Sequence, residues 1–518
     1  MRFPPQQFKL SGNAVDPATE RDVEILELDG EAGTLTLKLG PIWEGGTPRA
    51  LIPGGPYNTD PQRAALTRLA DDVLNGRRAY PACEALLRRE LPRIEAHPVG
   101  SPLVEGEYSV QAAIELALKL RDSVLALQGP PGTGKTYSGA QIAVSLMSEG
   151  RRVGVTAPTH KAIHNLVDEI ERVARSRGVR FKGFKKGKGE DAYVSPFGDS
   201  GSIKNVGNPA CEAPGEDVLL VAGTSWLFAR EGMEGVIDTL LIDEAGQFAL
   251  ADALAVGTSA RNLVLLGDPQ QLAHVSQGVH PEGVGVSAIG HVLGSERTMS
   301  ADRGLFINVS RRMHPEVCRF VSEISYSGEL HSLPGCGDQR IDSAGLSGAG
   351  LRAILVPHAG NRRESEEEAH ALLEQVRLLA GGTVAQADGC IRPIEEVGVM
   401  VVTPYNAQVR LLRHCLPDWV EVGTVDKFQG REAAVVFFSM ATSSGEDVPR
   451  NVDFLYSRNR LNVAVSRAKC LAVLVASPAL LTIRCRTVEQ MRLVNALCRF
   501  VELAKPEAGV DATDTAAA

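Results

Sequence analysis

The stretch that most constrains this chain runs from the apolar residues Val124-Leu-Ala-Leu through Gly129-Pro-Pro-Gly-Thr-Gly-Lys135-Thr136 into the helical pattern of residues 137–147. A buried strand that ends in a glycine-rich loop and turns straight into a helix is one repeat of a mainly parallel sheet with helical crossovers, so the fold class expected is α/β. In that setting Gly129, Pro130, Pro131, Gly132, Thr133 and Gly134 form a loop whose glycines let backbone N–H groups wrap phosphates at a helix N-terminus. Lys135 then supplies a positive charge to the β and γ phosphates, and Thr136 offers its hydroxyl to Mg2+. A glycine turn carrying an incidental lysine would need neither the strand before it nor the helix after it.

The same rhythm continues downstream. Short apolar runs at 152–156, 218–222, 239–242 and 263–266 alternate with amphipathic stretches, and the pattern returns at 398–402, 420–423, 434–439 and 471–475, which predicts two α/β lobes. Two lobes suit a chain of 518 residues, beyond the size at which a single core keeps growing. Before them, alternation on both sides of Asp29-Gly-Glu-Ala-Gly33 predicts a β-hairpin of a small β-barrel. Apolar residues at helical spacing between 60 and 91, interrupted by Pro81, predict two helices of a stalk. The expected division is an accessory region at 1–95, a first lobe at 96–305, a second lobe at 306–504 and a disordered tail at 505–518. Residues 181–216 are glycine-rich and poor in aliphatics, and are expected as a surface insertion in the first lobe. Its Lys182, Lys185, Lys186 and Lys188 either touch phosphates or belong to a solvated loop.

Composition narrows the partners. Lys and Arg total 54 against 63 Asp and Glu, a net charge of −9, which argues against coating nucleic acid by bulk charge and leaves only local contacts. No apolar run approaches the roughly 18 residues of a membrane span, and residues 1–12 lack the apolar stretch of a secretory signal. The nine cysteines are scattered singly, without the close pairs of a metal site, so reduced thiols and a cytoplasmic location are expected.

A second piece of phosphate chemistry lies in Leu240-Leu-Ile-Asp243-Glu244-Ala-Gly-Gln247, where two carboxylates close a buried apolar strand. Alone, such a pair is usually a surface turn. Beside a phosphate loop, Asp243 is suited to hold Mg2+ through water and Glu244 to orient or deprotonate the attacking water. Further segments follow in order: Ala157-Pro158-Thr159-His160-Lys-Ala162, Ala222-Gly-Thr224-Ser225, Leu266-Gly-Asp268-Pro-Gln-Gln271-Leu272, Arg312-Met-His-Pro315, Thr403-Pro-Tyr405-Asn-Ala-Gln408, Gly423-Thr424-Val-Asp426-Lys-Phe428-Gln429-Gly-Arg-Glu432 and Arg460-Leu-Asn-Val-Ala-Val-Ser-Arg467-Ala-Lys469.

This ordered series, spanning about residues 125–469, resembles superfamily 1 helicases, in particular the branch that contains the nonsense-mediated-decay helicase and senataxin. The resemblance implies two tandem RecA-like P-loop lobes with parallel sheets, preceded by a small β-barrel and helical stalk. It implies an ATP-dependent helicase or translocase on single-stranded nucleic acid, with ATP and Mg2+ as cofactors and movement 5′ to 3′. It assigns Gln271 to sensing the γ phosphate, Arg312 and Arg467 to the transferring phosphoryl group, and Glu432 to the ribose. Pro158, Thr159, Thr224, Thr403 and Thr424 would face the nucleic-acid backbone. Charge developing on the phosphoryl group explains why arginines from the opposite lobe are needed, since they couple hydrolysis to closure. Tyr405 is divided between core packing and function.

Two positions depart from the family. The adenine-reading glutamine maps to Gln111, with Val110 in the better register, and Arg311 stands where an aromatic is frequent, so a guanidinium would stack on the base and other purine nucleotides stay open. The phrases Gly223-Thr-Ser-Trp226-Leu-Phe and His280-Pro-Glu-Gly283 resemble bacterial helicases fused to RecB-like nucleases, yet no nuclease cluster of carboxylates and lysine is evident. Three functions are therefore expected to compete: a motor, with DNA favoured over RNA; a nucleotide-switched remodeller without processive unwinding; and a motor feeding a separate nuclease partner.

Overall fold

The computed structural model describes every residue except 5–9, 11–12, 30–32, 41–42, 44–45, 55–57, 208–213, 273–279, 282, 429, 450–451 and 506–518. Two compact units result, Met1–Asp60 and Pro61–Ala518. In the first, four strands pair in the order Thr34–Lys38, Arg21–Asp29, Asn13–Asp16, Ile52–Pro53, all antiparallel. Alternation buries Val23 and half-buries Ile25; a bulge after Ile25 then shifts the register, which leaves Leu26 exposed. The outer strands Thr34–Lys38 and Ile52–Pro53 do not pair with each other among the described residues, so the expected barrel is an open sheet there. The last strand is two residues long and ends in Pro53, which has no N–H for a further ladder bond.

The second unit carries both lobes. In the first lobe eight strands run parallel in the order Gly304–Phe306, Val124–Gln128, Ala260–Gly267, Ile237–Ile242, Val153–Thr156, Val218–Ala222, Lys182–Lys186, Ile203–Val206. The strands are apolar on both faces because helices cover both. Leu125 and Leu127 point to the helices Val110–Lys119, Lys135–Ser148 and His160–Ser176, while Val124 and Ala126 point to Pro81–Leu87, Leu250–Gly257 and Ala288–Leu293. The two helices foreseen around Pro81 are Asp60–Asn75 and Pro81–Leu87, with Pro81 in the first turn of the second. They cover a face of this lobe: Cys83 packs so closely on Gly257 that a Cβ there would meet its sulfur at 2.6 Å.

The insertion at 181–216 departs from the expected surface loop. Lys182–Lys186 and Ile203–Val206 add two strands to the sheet edge, and Lys185 is fully buried, with Nζ 2.9 Å from His160 Nδ1. Neighbouring Val218–Ala222 imposes this conformation, since a lysine- and glycine-rich run carries no strand signal of its own.

In the second lobe five parallel strands are ordered Gly350–Leu355, Ala468–Ala476, Ala433–Ser439, Val399–Thr403, Val420–Thr424. The four expected strands are present; Gly350–Leu355 joins them, and a small antiparallel sheet of Arg340–Asp342, Thr383–Ala385 and Ile391–Pro393 lies alongside. Among the described residues no helix is long and apolar enough to cross a membrane. The tail expected at 505–518 falls, except for Lys505, outside the described residues.

Candidate active site

The phosphate loop sits at the carboxyl end of Val124–Gln128, and Gly134 caps the helix Lys135–Ser148 in the left-handed region at φ +84° and, as a glycine, gives it no side-chain cap bond. The first N–H groups of that helix are left for an anion. Among the described residues nothing lies within 4 Å of where a Cβ on Gly134 would stand, so the loop is open on that side and leaves room for a polyphosphate. Thr133 steadies the loop by donating its hydroxyl to the Pro130 carbonyl at 2.7 Å, and Gly129 N–H donates to the Gly267 carbonyl at 2.9 Å.

Asp243 and Glu244 lie directly across from the loop. Lys135 Nζ is 2.8 Å from Glu244 Oε1 and 3.5 Å from Asp243 Oδ1. Burial would lower the lysine pKa, but the two carboxylates outweigh it and hold it above the usual range. Glu244 takes φ +51°, a region that costs a non-glycine residue free energy and that recurs at functional sites. The turn can be this tight only because Gly246 and Gly267 pack backbone on backbone: a Cβ on Gly246 would meet the Asp268 carbonyl oxygen at 2.4 Å. Half-buried Thr136 and buried Asp243 are an alcohol and a carboxylate, the oxygen donors that suit Mg2+.

The second lobe closes directly on this loop. Arg311 N–H donates to the Gly132 carbonyl at 2.8 Å and Ser310 Oγ to the Pro131 carbonyl at 3.2 Å. Arg312 Nε bonds Glu432 Oε2 at 2.6 Å and its Nη1 bonds the Ser466 carbonyl at 3.2 Å. Arg467 is buried, with Nε on the Val463 carbonyl at 3.0 Å and Nη1 on the Arg431 carbonyl at 3.3 Å, and it feels the charges of Arg312 and Glu244. Lys135, Asp243, Glu244, Arg312 and Arg467 thus converge. Glu432 holds Arg312 and also Lys469 at 2.8 Å, which outweigh burial and keep its carboxyl below the usual range. Both of its oxygens are engaged by these basic groups. Gln271 donates to Asp268 Oδ2 at 2.8 Å, and exposed Gln111 to Glu115 at 3.1 Å.

The close fit over Gly132 gives a first expected result. Gly132 has φ +73°, and a Cβ there would stand 2.5 Å from Arg312 Cβ. Gly132→Ala should strain the loop by about 1–2 kcal/mol and push Arg312 away, lowering ATP turnover at least about tenfold. Steady-state hydrolysis within twofold of wild type would show that Arg312 is not needed where it stands.

The residues expected along a strand are less uniform. Pro158 and Thr159 are exposed, although Thr159 Oγ1 already accepts from Ala162 N–H at 3.2 Å as a helix cap. Half-buried Thr224 makes no such cap bond. Thr403 and Thr424 lie opposite each other at the carboxyl ends of adjacent strands; Thr424 is half-buried, but Thr403 is fully buried, its hydroxyl without a partner among the described residues. Tyr405 is buried, its ring tilted against that of Phe454 with centroids 6.0 Å apart. Missed altogether was Tyr326, whose hydroxyl is 2.6 Å from Asp268 across the lobe boundary.

Two families described as AAA domain match the chain, one over residues 109–284 and the other over 295–479. The chain is 25% identical over 421 residues to the DNA replication ATP-dependent helicase/nuclease JHS1 of Arabidopsis thaliana, covering 74% of itself and 30% of that protein. It is 26% identical over 468 residues to the regulator of nonsense transcripts 1 homolog of Drosophila melanogaster, covering 79% of itself and 37% of that protein. Among solved structures, a complex of the Arterivirus nonstructural protein 10 helicase with DNA is similar at TM-score 0.38 and 15% identity, over 71% of this chain and 62% of that one. The chain spans about a third of the length of those two relatives.

Proposed function

We propose that this chain, a member of the superfamily 1 helicases in the branch that contains the nonsense-mediated-decay helicase and senataxin, is an ATP-driven motor that holds single-stranded nucleic acid and hydrolyses ATP between its lobes. One observation carries the reading: Arg312 and Arg467 of the second lobe stand against the loop and carboxylates of the first, with Arg311 N–H bonded to the Gly132 carbonyl.

In this reading the polyphosphate enters the loop of Gly129 to Gly134, and Lys135 exchanges Glu244 for the β and γ oxygens. Mg2+, held by Thr136 and Asp243, would neutralise charge on the phosphates. Glu244, released from Lys135, orients the attacking water. Arg312 and Arg467 stabilise the charge that spreads over the transferring phosphoryl oxygens. When that charge leaves, the attraction between the lobes weakens, and their opening moves the strand. Gln271 reports the γ phosphate through Asp268, to which it is already bonded. Pro158, Thr159, Thr224 and Thr424 grip the backbone at the carboxyl ends of the strands, which is where parallel sheets bind ligands. The resemblance to that branch supports movement 5′ to 3′, relatives such as the helicase/nuclease above support DNA as the strand, and a motor feeding a separate nuclease is the alternative reading.

Steady-state ATP hydrolysis should rise at least about tenfold on adding single-stranded DNA, and less with RNA. Hydrolysis that neither strand stimulates would sink the motor and favour a protein-remodelling switch.

A further inference from the structure

A short polar contact between the lobes joins Asp268, within one of the motifs, to Tyr326, which lies outside all of them. Tyr326, the residue that ends the helix Pro315–Ser325 in the second lobe, is fully buried. Its hydroxyl donates to Asp268 Oδ2 of the first lobe at 2.6 Å and accepts from Asn462 Nδ2 at 3.0 Å. A phenol can donate once, and this single donation crosses the lobe boundary. Asn462 Nδ2 also donates to the Gln270 carbonyl at 2.8 Å, and Asn459 Nδ2 to the Pro269 carbonyl at 3.3 Å. The segment 268–271 is therefore held by three side chains of the second lobe.

Both ends of this network reach the proposed chemistry. Asp268 Oδ2 is shared between Tyr326 and the amide of Gln271, and Oδ1 takes the Gln270 N–H at 3.1 Å, so the carboxylate aims the proposed γ-phosphate sensor. Asn462 lies on the helix Arg458–Val465, whose Val463 carbonyl holds Arg467. Asp268 and Tyr326 are buried where the local dielectric is low, so the hydrogen bond between them is strong and leaving either partner unpaired is costly.

We infer that Tyr326 is a positioning residue that transmits the state of Gln271 to Arg467, through Asp268 on one side and Asn462 on the other. The inference rests on the motor reading. When Gln271 leaves Asp268 for a nucleotide, Tyr326 is the remaining side chain that keeps Asp268 Oδ2 bonded, so the segment 268–271 stays docked on the helix that carries Arg467 and the arginine arrives together with the sensor.

The test is Tyr326→Phe, which keeps the ring and its contact with Phe306 at 6.1 Å and removes the hydroxyl alone. Strand-stimulated kcat should fall about tenfold with the KM for ATP within about twofold of wild type, because the lost bond matters at closure rather than in binding. Asn462→Ala should also lower kcat, and the double variant should lose less than the product of the two single effects, since both act through one network. Unchanged strand-stimulated kcat in Tyr326→Phe overturns the inference while leaving the motor intact. Parallel changes in kcat, KM and melting temperature also overturn it, by showing a purely structural role. A wild-type chain that hydrolyses no ATP removes the motor reading and this inference together.

Discussion

Arg467→Ala should lower strand-stimulated ATP turnover by about 10³-fold, the scale on which a guanidinium stabilises a transferring phosphoryl group, yet leave the nucleotide-free chain as stable as wild type or more so. These two expectations come from the same environment. Arg467 is only 2% exposed, and among the described residues its hydrogen bonds go to the backbone carbonyls of Val463 and Arg431, with no carboxylate at ion-pair distance. Burial, together with the neighbouring Arg312, pulls its pKa below the usual arginine range. A buried charge without a matched counter-charge destabilises the fold, so deleting it relieves a strain. What the strain supplies is a guanidinium already desolvated where negative charge will develop, which in such a site is worth more than in water. Arg467→Lys should not restore turnover, because an ammonium lacks the planar fork that grips two oxygens. Turnover and thermal unfolding of the two variants decide it: a loss of melting temperature with turnover unchanged would make Arg467 a structural residue.

The parts of this site that were legible in the sequence are those whose chemistry needs neighbours in the chain. Gly129 to Thr136 must be contiguous to wrap a phosphate, and Asp243-Glu244-Ala-Gly246 must be contiguous because Gly246 has to lie on Asp268. Arg312 and Arg467 were legible only through the order of the motifs, since an isolated arginine has no local signature. Tyr326 was not legible, because an aromatic at the end of an amphipathic helix reads as core until the lobe opposite is in place. Thr403 shows the converse: its motif suggested a surface role, and the neighbouring strands bury it completely. Lys182–Lys186 failed for a third reason, as an edge strand takes its conformation from the strand beside it rather than from its own residues. The fold class was recoverable because both lobes repeat the same strand–helix period; whether the N-terminal hairpin closes into a barrel depends on pairing between distant strands that local alternation does not encode.

Lys135→Ala should abolish hydrolysis, by at least about 10²-fold, and should also destabilise the chain by about 3 kcal/mol near neutral pH. The second effect distinguishes this lysine from one that acts only on nucleotide. Its side chain is 11% exposed and lies between Asp243, 4% exposed, and Glu244, 28% exposed. Removing it leaves two adjacent carboxylates facing each other in a largely buried site. In the wild type the folded-state pKa of Lys135 lies above the free-lysine value, so its stabilising contribution is complete below about pH 10 and is lost only as pH rises through the folded value. Burial already raises the Asp243 carboxyl in the wild type, and Lys135→Ala removes the positive charge that opposes this, so the folded variant takes up the Asp243 proton more readily still and should regain stability relative to wild type as pH falls from about 7 to about 5. Lys135→Ala combined with Glu244→Gln should recover most of the lost stability at pH 7 without recovering any hydrolysis, because the like-charge pair is gone while the phosphate cation and the water-orienting carboxylate are both missing. Thermal unfolding of the single and double variants at the two pH values measures this. A single variant as stable as wild type, with no pH dependence of its own, would mean that Lys135 is not the counter-charge of Asp243 and Glu244. The exchange of Lys135 from Glu244 to a phosphate, on which the proposed cycle begins, would then have no basis.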